Sequence, residues 1–373
     1  TPNGYKAGEL YAVIPSDGAA DMDVTRATAA TRVDENGLVN YAEVIGSDLI
    51  TNGDFTSNII GWGNALISTV PDIVWNNGKA RITNTTGSNY NTGLNTTNNP
   101  FNGLTGIVKV TGNIQIISGT ASSFKAREHY GTVASFVLDA SGDFEVVLSL
   151  NGTSDDLAIY TYTDDLVFDI DNIVAKEIQR DNVPRIDYTG GGCPHILAEP
   201  QRTNVVANSD PTSNEGAAGN IAYETFSWRL GTLIENSVYY ADNTVTRFRR
   251  LGGSLVASTY YAFSFYCIKD DLSAPTFALG INDDFIVKLN GLQVSQSLDE
   301  VEIKDKGNGV YFITIASDRG TGSINVIEKT AANTSIGFRV SGFQIEAGSY
   351  ATSYIPTSGS TVTRNQDIFT RDG

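Results

Sequence analysis

One phrase occurs twice in this chain. Leu49-Ile50-Thr51-Asn52-Gly53-Asp54-Phe55-Thr56-Ser57-Asn58 returns as Val205-Val206-Ala207-Asn208-Ser209-Asp210-Pro211-Thr212-Ser213-Asn214. After a long strand-rich stretch each copy meets a matching close, Phe168-Asp169-Ile170-Asp171-Asn172-Ile173 in the first and Phe338-Arg339-Val340-Ser341-Gly342-Phe343 in the second. The repeated unit is the size of a domain, so the chain reads as tandem modules and not as a solenoid of short repeats. A length of 373 residues leaves room for two to three domains, each able to bury a core of its own.

What lies between the phrases is strand-and-turn chemistry. Gly occurs 37 times and Met once, and Thr, Ser, Asn, Val, Ile and Tyr fill most of the rest. β-Branched and aromatic residues suit a pleated, half-buried surface, and Gly and Asn supply positive φ in turns. In Phe144-Glu145-Val146-Val147-Leu148-Ser149-Leu150 the even positions are all apolar, and Asn151-Gly152 follows as a hairpin signal. Tyr261, Phe263, Phe265 and Cys267 share one face of another strand, and Asn36-Gly37, Asn290-Gly291 and Asn308-Gly309 mark further hairpins. Val310, Phe312 and Thr314 alternate with Tyr311, Ile313 and Ile315, which predicts a central strand apolar on both faces. Val24 to Val33 is the one helix-like candidate, and its Thr and Arg residues balance helix against extended chain. The expected fold class is all-β, with two tandem antiparallel jelly-roll β-sandwiches joined by a short clasp.

The boundaries follow from the repeats. Residues 1–46 form an N-terminal attachment or clasp segment, 47–179 the first jelly roll, 180–203 a Gly/Pro-rich linker packing with the N-terminal segment, and 204–373 the second jelly roll with a C-terminal tail. The linker reading rests on Gly190-Gly191-Gly192 between Pro184 and Pro194.

Charge removes several function classes. A formal net charge of -17 repels phosphate backbones and anionic lipid surfaces, so no nucleic acid and no membrane insertion is expected. No window of about 18 apolar residues exists to span a bilayer. Thr1-Pro2-Asn3-Gly4 has neither the charged region nor the apolar core of a secretory signal. Cys193 and Cys267 are too few for a disulfide framework or a cysteine zinc site and read as two free thiols.

Val24-Thr25-Arg26 through Asp34-Glu35-Asn36-Gly37-Leu38, then Val183-Pro184-Arg185-Ile186-Asp187-Tyr188, then Leu197-Ala198-Glu199-Pro200-Gln201-Arg202-Thr203-Asn204, and finally Gln344-Ile345-Glu346-Ala347 to Ile355-Pro356-Thr357 with Thr363-Arg364, resemble the signature of phage head spike and fibre domain proteins. In shorter relatives the counterpart of Asn36-Gly37-Leu38 is followed closely by that of Pro184-Arg185, which implies that the first jelly roll is an insertion. A domain whose ends lie close together adds little loop-closure entropy when it replaces a surface turn. The inserted module, with Asn52-Gly53-Asp54-Phe55 and Gly61-Trp62 near its start and Ile170-Asp171-Asn172-Ile173 near its end, resembles carbohydrate-binding jelly rolls of the galactose-binding-like type.

That second resemblance implies a structural calcium ion clipping first and last strands, with Asn52, Asp54, Asp169 and Asp171 as the oxygen donors. The second copy keeps Asp210 but has Ser341 in place of Asp171, so its site is expected to be weaker or missing. The competing reading places Asp54 and Asp171 in turns, bonding backbone amides. The resemblance also implies glycan binding by sugar rings stacked on exposed aromatics. Trp75, Tyr90 and Trp228 are the candidates, Trp75 because it precedes the Asn76-Asn77-Gly78 turn, whereas Trp62 reads as structural.

Catalysis finds little support. The chain has no nucleophile elbow, Walker loop, dinucleotide fingerprint or zincin helix. His129 and His195 are its only histidines, and Asp155-Asp156, Asp164-Asp165 and Asp283-Asp284 read as solvated loop charges rather than facing carboxylates. No enzyme activity is expected. The resemblance implies a virion appendage at the particle surface, a head spike or fibre or a tail fibre, as a homotrimer partnered by capsid or tail proteins and by host-surface glycans. The alternative is a pair of carbohydrate-binding modules from a secreted bacterial polysaccharide-degrading protein.

Overall fold

The computed structural model describes residues 4–11, 22–64, 72–84, 92–120, 123–128, 133–136, 138, 140–153, 156–163, 165–190, 193–213, 221–241, 247–250, 255–256, 258–277, 283–289, 291–318, 325–329 and 336–370. Among them every regular element is a strand, and every strand pairing is antiparallel. The chain divides into two compact units, residues 43–179 and residues 1–42 with 180–373.

The 43–179 unit is a two-sheet sandwich. One sheet runs in the order Gly142–Asn151, Thr105–Ser118, Leu166–Gln179, Ala80–Asn84, Asp72–Trp75, with Val44–Asp48 also paired to Leu166–Gln179. The facing sheet runs Val133–Phe136, Phe124–Glu128, Leu157–Thr161, Thr92–Thr96, Trp62–Asn64. Phe144, Val146, Leu148 and Leu150 point inward with their odd-numbered neighbours in solvent, as the alternation predicts. They meet Val108, Val110, Phe168 and Ile170 of their own sheet and Leu94, Phe124 and Ile159 of the other in one core. Each such side chain contributes roughly 1.5–3 kcal/mol by leaving water. Asn151-Gly152 does not close a hairpin. The Asn151 side chain accepts hydrogen bonds from Thr153, capping a turn that carries the chain over to the facing sheet.

The other unit contains the second sandwich. Its larger sheet runs Ile221–Thr225, Asn236–Tyr240, Phe338–Ala347, Tyr261–Lys269, Val310–Ser317, Glu300–Asp305, and its smaller one Arg247–Arg250, Asn325–Lys329, Phe285–Leu289, Leu292–Gln293. Phe263, Phe265 and Cys267 face the core shared with Phe285, Val287, Ile327 and Phe343. Val310–Ser317 is central, flanked by two strands as its two apolar faces suggest. Asn308 and Gly309 both have positive φ, the geometry of the tight turn expected there.

The repeated phrases build the same joint in both sandwiches. Leu49 N donates to Ala175 O and Ile173 N to Gly53 O in the first, and Val205 N donates to Ile345 O and Phe343 N to Ser209 O in the second. Each closing strand carries a bulge at the same place, with Asn172 at φ 53° and Gly342 at φ 65°. Only Gly and Asn adopt that left-handed region at low steric cost, so both copies of the phrase hold one or the other. Gly53 is fixed by a second constraint, since a Cβ there would lie 1.9 Å from Ile173 O.

Segments flanking the insertion are built into the second unit. Met22–Thr25 pairs with Ile368–Thr370, Thr31–Val33 with Val39–Tyr41, Ile186–Asp187 with His195–Ile196, and Arg202–Asn204 with Val362–Arg364. Val24 to Val33 is therefore extended, its β-branched threonines and buried Arg26 settling the balance against helix. The Gly/Pro-rich stretch is no open tether, because Val183 through Asp187 are buried.

Candidate functional site

The signature blocks meet in a buried ionic cluster of the 1–42/180–373 unit. Arg26 Nη1 donates to Asp367 Oδ1 at 2.8 Å, Arg185 Nη1 to Glu199 Oε2 at 2.7 Å, and Arg364 reaches the same Glu199 oxygen at 2.9 Å. Arg185 Nη2 binds the second Asp367 oxygen. Ser353 adds its amide and hydroxyl to Glu199, and Arg364 Nη2 donates to Pro200 O. Burial alone pushes the Glu199 and Asp367 carboxyls up, but the arginines outweigh it and hold both below the usual carboxylate range. Guanidinium forks suit this task because they satisfy planar carboxylates from several directions without water. The cluster fixes the clasp and has no reactive exposed atom, so the signature marks architecture.

What the clasp shapes is a groove. On the outer face of the larger sheet, registered rows place Glu302 beside Thr314 and Ser264, and Lys304 beside Phe312 and Tyr266. Ala351 to Tyr354 and the hairpin around Val33 and Val39 wall this face, leaving contiguous cavities of about 290, 250 and 920 Å³. Tyr350, 53% exposed, stands at one end with the Arg202 guanidinium 5.4 Å from its ring centre. Phe312 lies midway, its ring tilted against Tyr266 at 4.8 Å. Lys304 pairs with Glu302 at 3.0 Å, and Lys306 lies 5.6 Å from the centre of the Phe312 ring. Burial, reinforced by Lys304, pulls Lys306 below the ordinary lysine value. Aromatic rings interleaved with carboxylate, hydroxyl and ammonium groups can hold a polyhydroxylated ligand by ring contact and hydrogen bonds.

Neither Trp75, which belongs to the other unit, nor Trp228 is among the residues lining this groove. Trp75 is 45% exposed at the edge of its sandwich, and its Nε1 donates to Phe55 O at 2.7 Å, which locks the ring with much of its surface in water. Trp228 corrects the expectation of an exposed ring. It is 1% exposed, donates to Asn236 O at 3.0 Å, and packs edge-on against Phe226, so no face remains for a sugar. Tyr90 lies outside the described residues. Trp62 is buried against Phe55 and donates to Asn52 O.

Each of the four expected calcium donors is hydrogen-bonded within the protein. Both Asp169 oxygens accept from Arg81, at 2.7 and 2.9 Å, and this ion pair fits the strand interior better than a metal ligand. Asn52 uses its carbonyl on Trp62 and its amide on Asn58 and Ile60. Asp54 accepts from the Thr56 amide as a turn aspartate does, whereas Asp171 lies within the strand Leu166–Gln179, at its bulge, and accepts from the Asn172 amide. Among the described residues no three His, Cys, Asp or Glu side chains gather as a metal site. In the second copy Ser341 Oγ donates directly to Asp210 at 2.9 Å, tying the closing strand to the repeated phrase.

Of the acidic pairs, Asp156 and Asp284 are buried and hydrogen-bonded, to Asn95 and to Thr276 respectively, while Asp155 and Asp164 lie outside the described residues, as does His129. The groove itself escaped sequence reading. Glu300, Glu302 and Lys304 alternate with Val301 and Ile303, which signals a half-exposed strand. Nothing local in that pattern says that distant residues 351–354 will roof its polar face.

No family model matches this chain, and no curated protein matches it. Among solved structures, the chain is similar to the N-terminal CBM22-1-CBM22-2 tandem domain of Paenibacillus barcinonensis Xyn10C, at 14% identity over 81% of this chain and 98% of that one, with a TM-score of 0.27. It is also similar to an anti-sigma factor domain-containing protein, at 9% identity over 76% of this chain and 78% of that one, with a TM-score of 0.14. Neither superposition is close enough to assign a ligand.

Proposed function

We propose that this chain is a non-catalytic carbohydrate-binding protein built on two β-sandwiches, with an extended saccharide held in the groove of the 1–42/180–373 unit. The observation that carries this reading is the groove's lining, in which Tyr350 and Phe312 offer ring surface while Glu302, Thr314 and Lys304 offer hydrogen-bonding groups on one registered strand face. Trp75, anchored through its indole nitrogen, offers a second stacking surface on the other unit. Weak contacts of this kind become useful through avidity when many copies are displayed together. A glycan array with the purified chain tests the reading. Tyr350→Ala is expected to lower affinity for the best glycan by about tenfold, the scale of an aromatic contact of 1–2 kcal/mol. Absence of binding to any glycan, or release of oligosaccharides from a bound polysaccharide, overturns it.

A setting for this activity is a phage virion appendage. The order of the signature blocks supports it, since four stretches spread from Arg26 to Arg364 supply one buried cluster. A homotrimer is the assembly that goes with it. Antibody labelling of intact particles, with a solution mass of three chains, is the expected result, and an unlabelled particle sinks this setting.

A further inference from the structure

We infer that the inner end of the groove recognises an acidic saccharide, with the sugar carboxylate seated against Lys306, Lys304 and Arg32. This rests on the carbohydrate-binding reading and names its ligand class.

The inner end of the groove differs in charge from the chain as a whole. The chain carries a formal net charge of -17, yet the inner cavity of about 250 Å³, room for a sugar ring, is lined by Arg32, His195, Lys304 and Lys306. A cationic pocket in an acidic protein needs local reasons to persist, because stray carboxylates would neutralise it. Its two acidic liners are already committed. Asp187 accepts from the Val33 and Thr189 amides, both at 2.8 Å, and faces His195 Nε2 at 3.6 Å. Glu199 belongs to Arg185, Arg364 and Ser353. Of the bases, Lys304 pairs with Glu302 at 3.0 Å, which leaves Lys306 and Arg32 as the less occupied two. Lys306 makes no ion pair among the described residues, its ammonium lying over the Phe312 ring. Arg32 Nη1 donates to Ile186 O at 3.1 Å, but its buried Nε has no hydrogen-bond partner among the described residues.

A buried donor without a partner keeps its full desolvation penalty, so a ligand acceptor that reaches it is strongly favoured. A partly buried, unpaired ammonium gains likewise from an anion, and burial already strains Lys306 toward its neutral form. Arg and Lys together match a carboxylate, which accepts charge-assisted hydrogen bonds from more than one direction. The neighbouring Phe312 and Tyr266 supply apolar surface beside the charge, as a pyranose bearing a carboxylate requires. Glu35 lines only the larger outer cavity, so its charge stays away from the inner end.

The test compares oligogalacturonate with its methyl ester and with a sulfated oligosaccharide of equal length, on the full chain by calorimetry at low and high salt. Methyl esterification removes charge while keeping ring and hydroxyls. Expected is about tenfold tighter binding of the free acid than the ester, a preference that shrinks as salt screens it. Lys306→Met, which keeps the stem on Phe312, brings the acid down to the ester's affinity, and Lys306→Arg preserves the preference. Equal binding of acid and ester, or tighter binding of the sulfated ligand, overturns the inference and leaves the carbohydrate-binding reading standing. No binding of any of the three overturns the inference, and an empty glycan array beside it overturns both.

Discussion

Asp48 and Asn204 occupy the same place in the two sandwiches, one as an exposed carboxylate and the other as a fully buried amide. Asp48 Oδ1 accepts from Ile50 N and Ala175 N, both at 3.0 Å, and Asn204 Oδ1 accepts from Val206 N and Ile345 N, both at 3.1 Å. The two amides need an acceptor in either copy, and any side-chain oxygen serves. What differs is the cover. In the second sandwich Ile355 passes over the joint, and Asn204 Nδ2 donates to Ile355 O at 2.9 Å and to Phe343 O at 3.1 Å. A carboxylate there would be buried and would face two carbonyls with no proton to offer. Geometry fixes that an oxygen must stand at this position, and burial selects which oxygen.

Exchanging the two residues breaks the comparison most severely. Asn204→Asp is expected to destabilise its unit by about 3–5 kcal/mol, the range for an uncompensated buried charge, whereas Asp48→Asn costs under about 1 kcal/mol because the acceptor remains and the site is wet. Denaturant titration of each variant reads both, and equal losses would refute the role given to burial. A smaller effect separates the units by pH. Glu199 and Asp367 are held below their unfolded values of about 4, so their contribution is present above that pH and is lost as pH falls through their folded values. Glu346, pushed up by burial against bonds from Thr352 and Gln344, runs the other way, contributing most at low pH and less as pH rises. With two carboxyls against one, melting of the 1–42/180–373 unit is expected to fall between about pH 5 and 3, and Arg185→Met should flatten that slope. A wild-type slope that Arg185→Met leaves unchanged would exclude the cluster as its source. The gentlest test is chemical. Cys193 is exposed and Cys267 buried, with burial pushing the Cys267 thiol up, so a thiol reagent should label the native chain once and the denatured chain twice. Fast labelling of Cys267 in native buffer would show that the second core opens.

Much of the fold could be read from residues acting over short distances. Phe144 to Leu150 alternate in sequence and in burial, and the duplicated phrases bond as duplicated joints, because pleat and bulge are local geometry. Long-range cover was not legible. Gly190 and its neighbours look like a tether until Arg185 is seen to need Glu199 and Asp367 around it, and Trp228 looks available until Phe226, Val39 and Tyr354 join it in one buried cluster. The groove failed to announce itself for the same reason, since its roof and floor lie far apart along the chain. The exposure of Trp75 was legible because a turn follows it directly, and turns are written locally.

The strands Val44–Asp48 and Leu166–Gln179 pair so that Val44 lies opposite Gln179, and in the other unit the Arg180 guanidinium rests 4.1 Å from the centre of the Tyr41 ring. Each unit thus brings the two chain crossings together on its own account. A gene segment encoding residues 43–179 is bounded by a junction of a few codons, and its deletion or replacement leaves the strand pairings of the other unit intact.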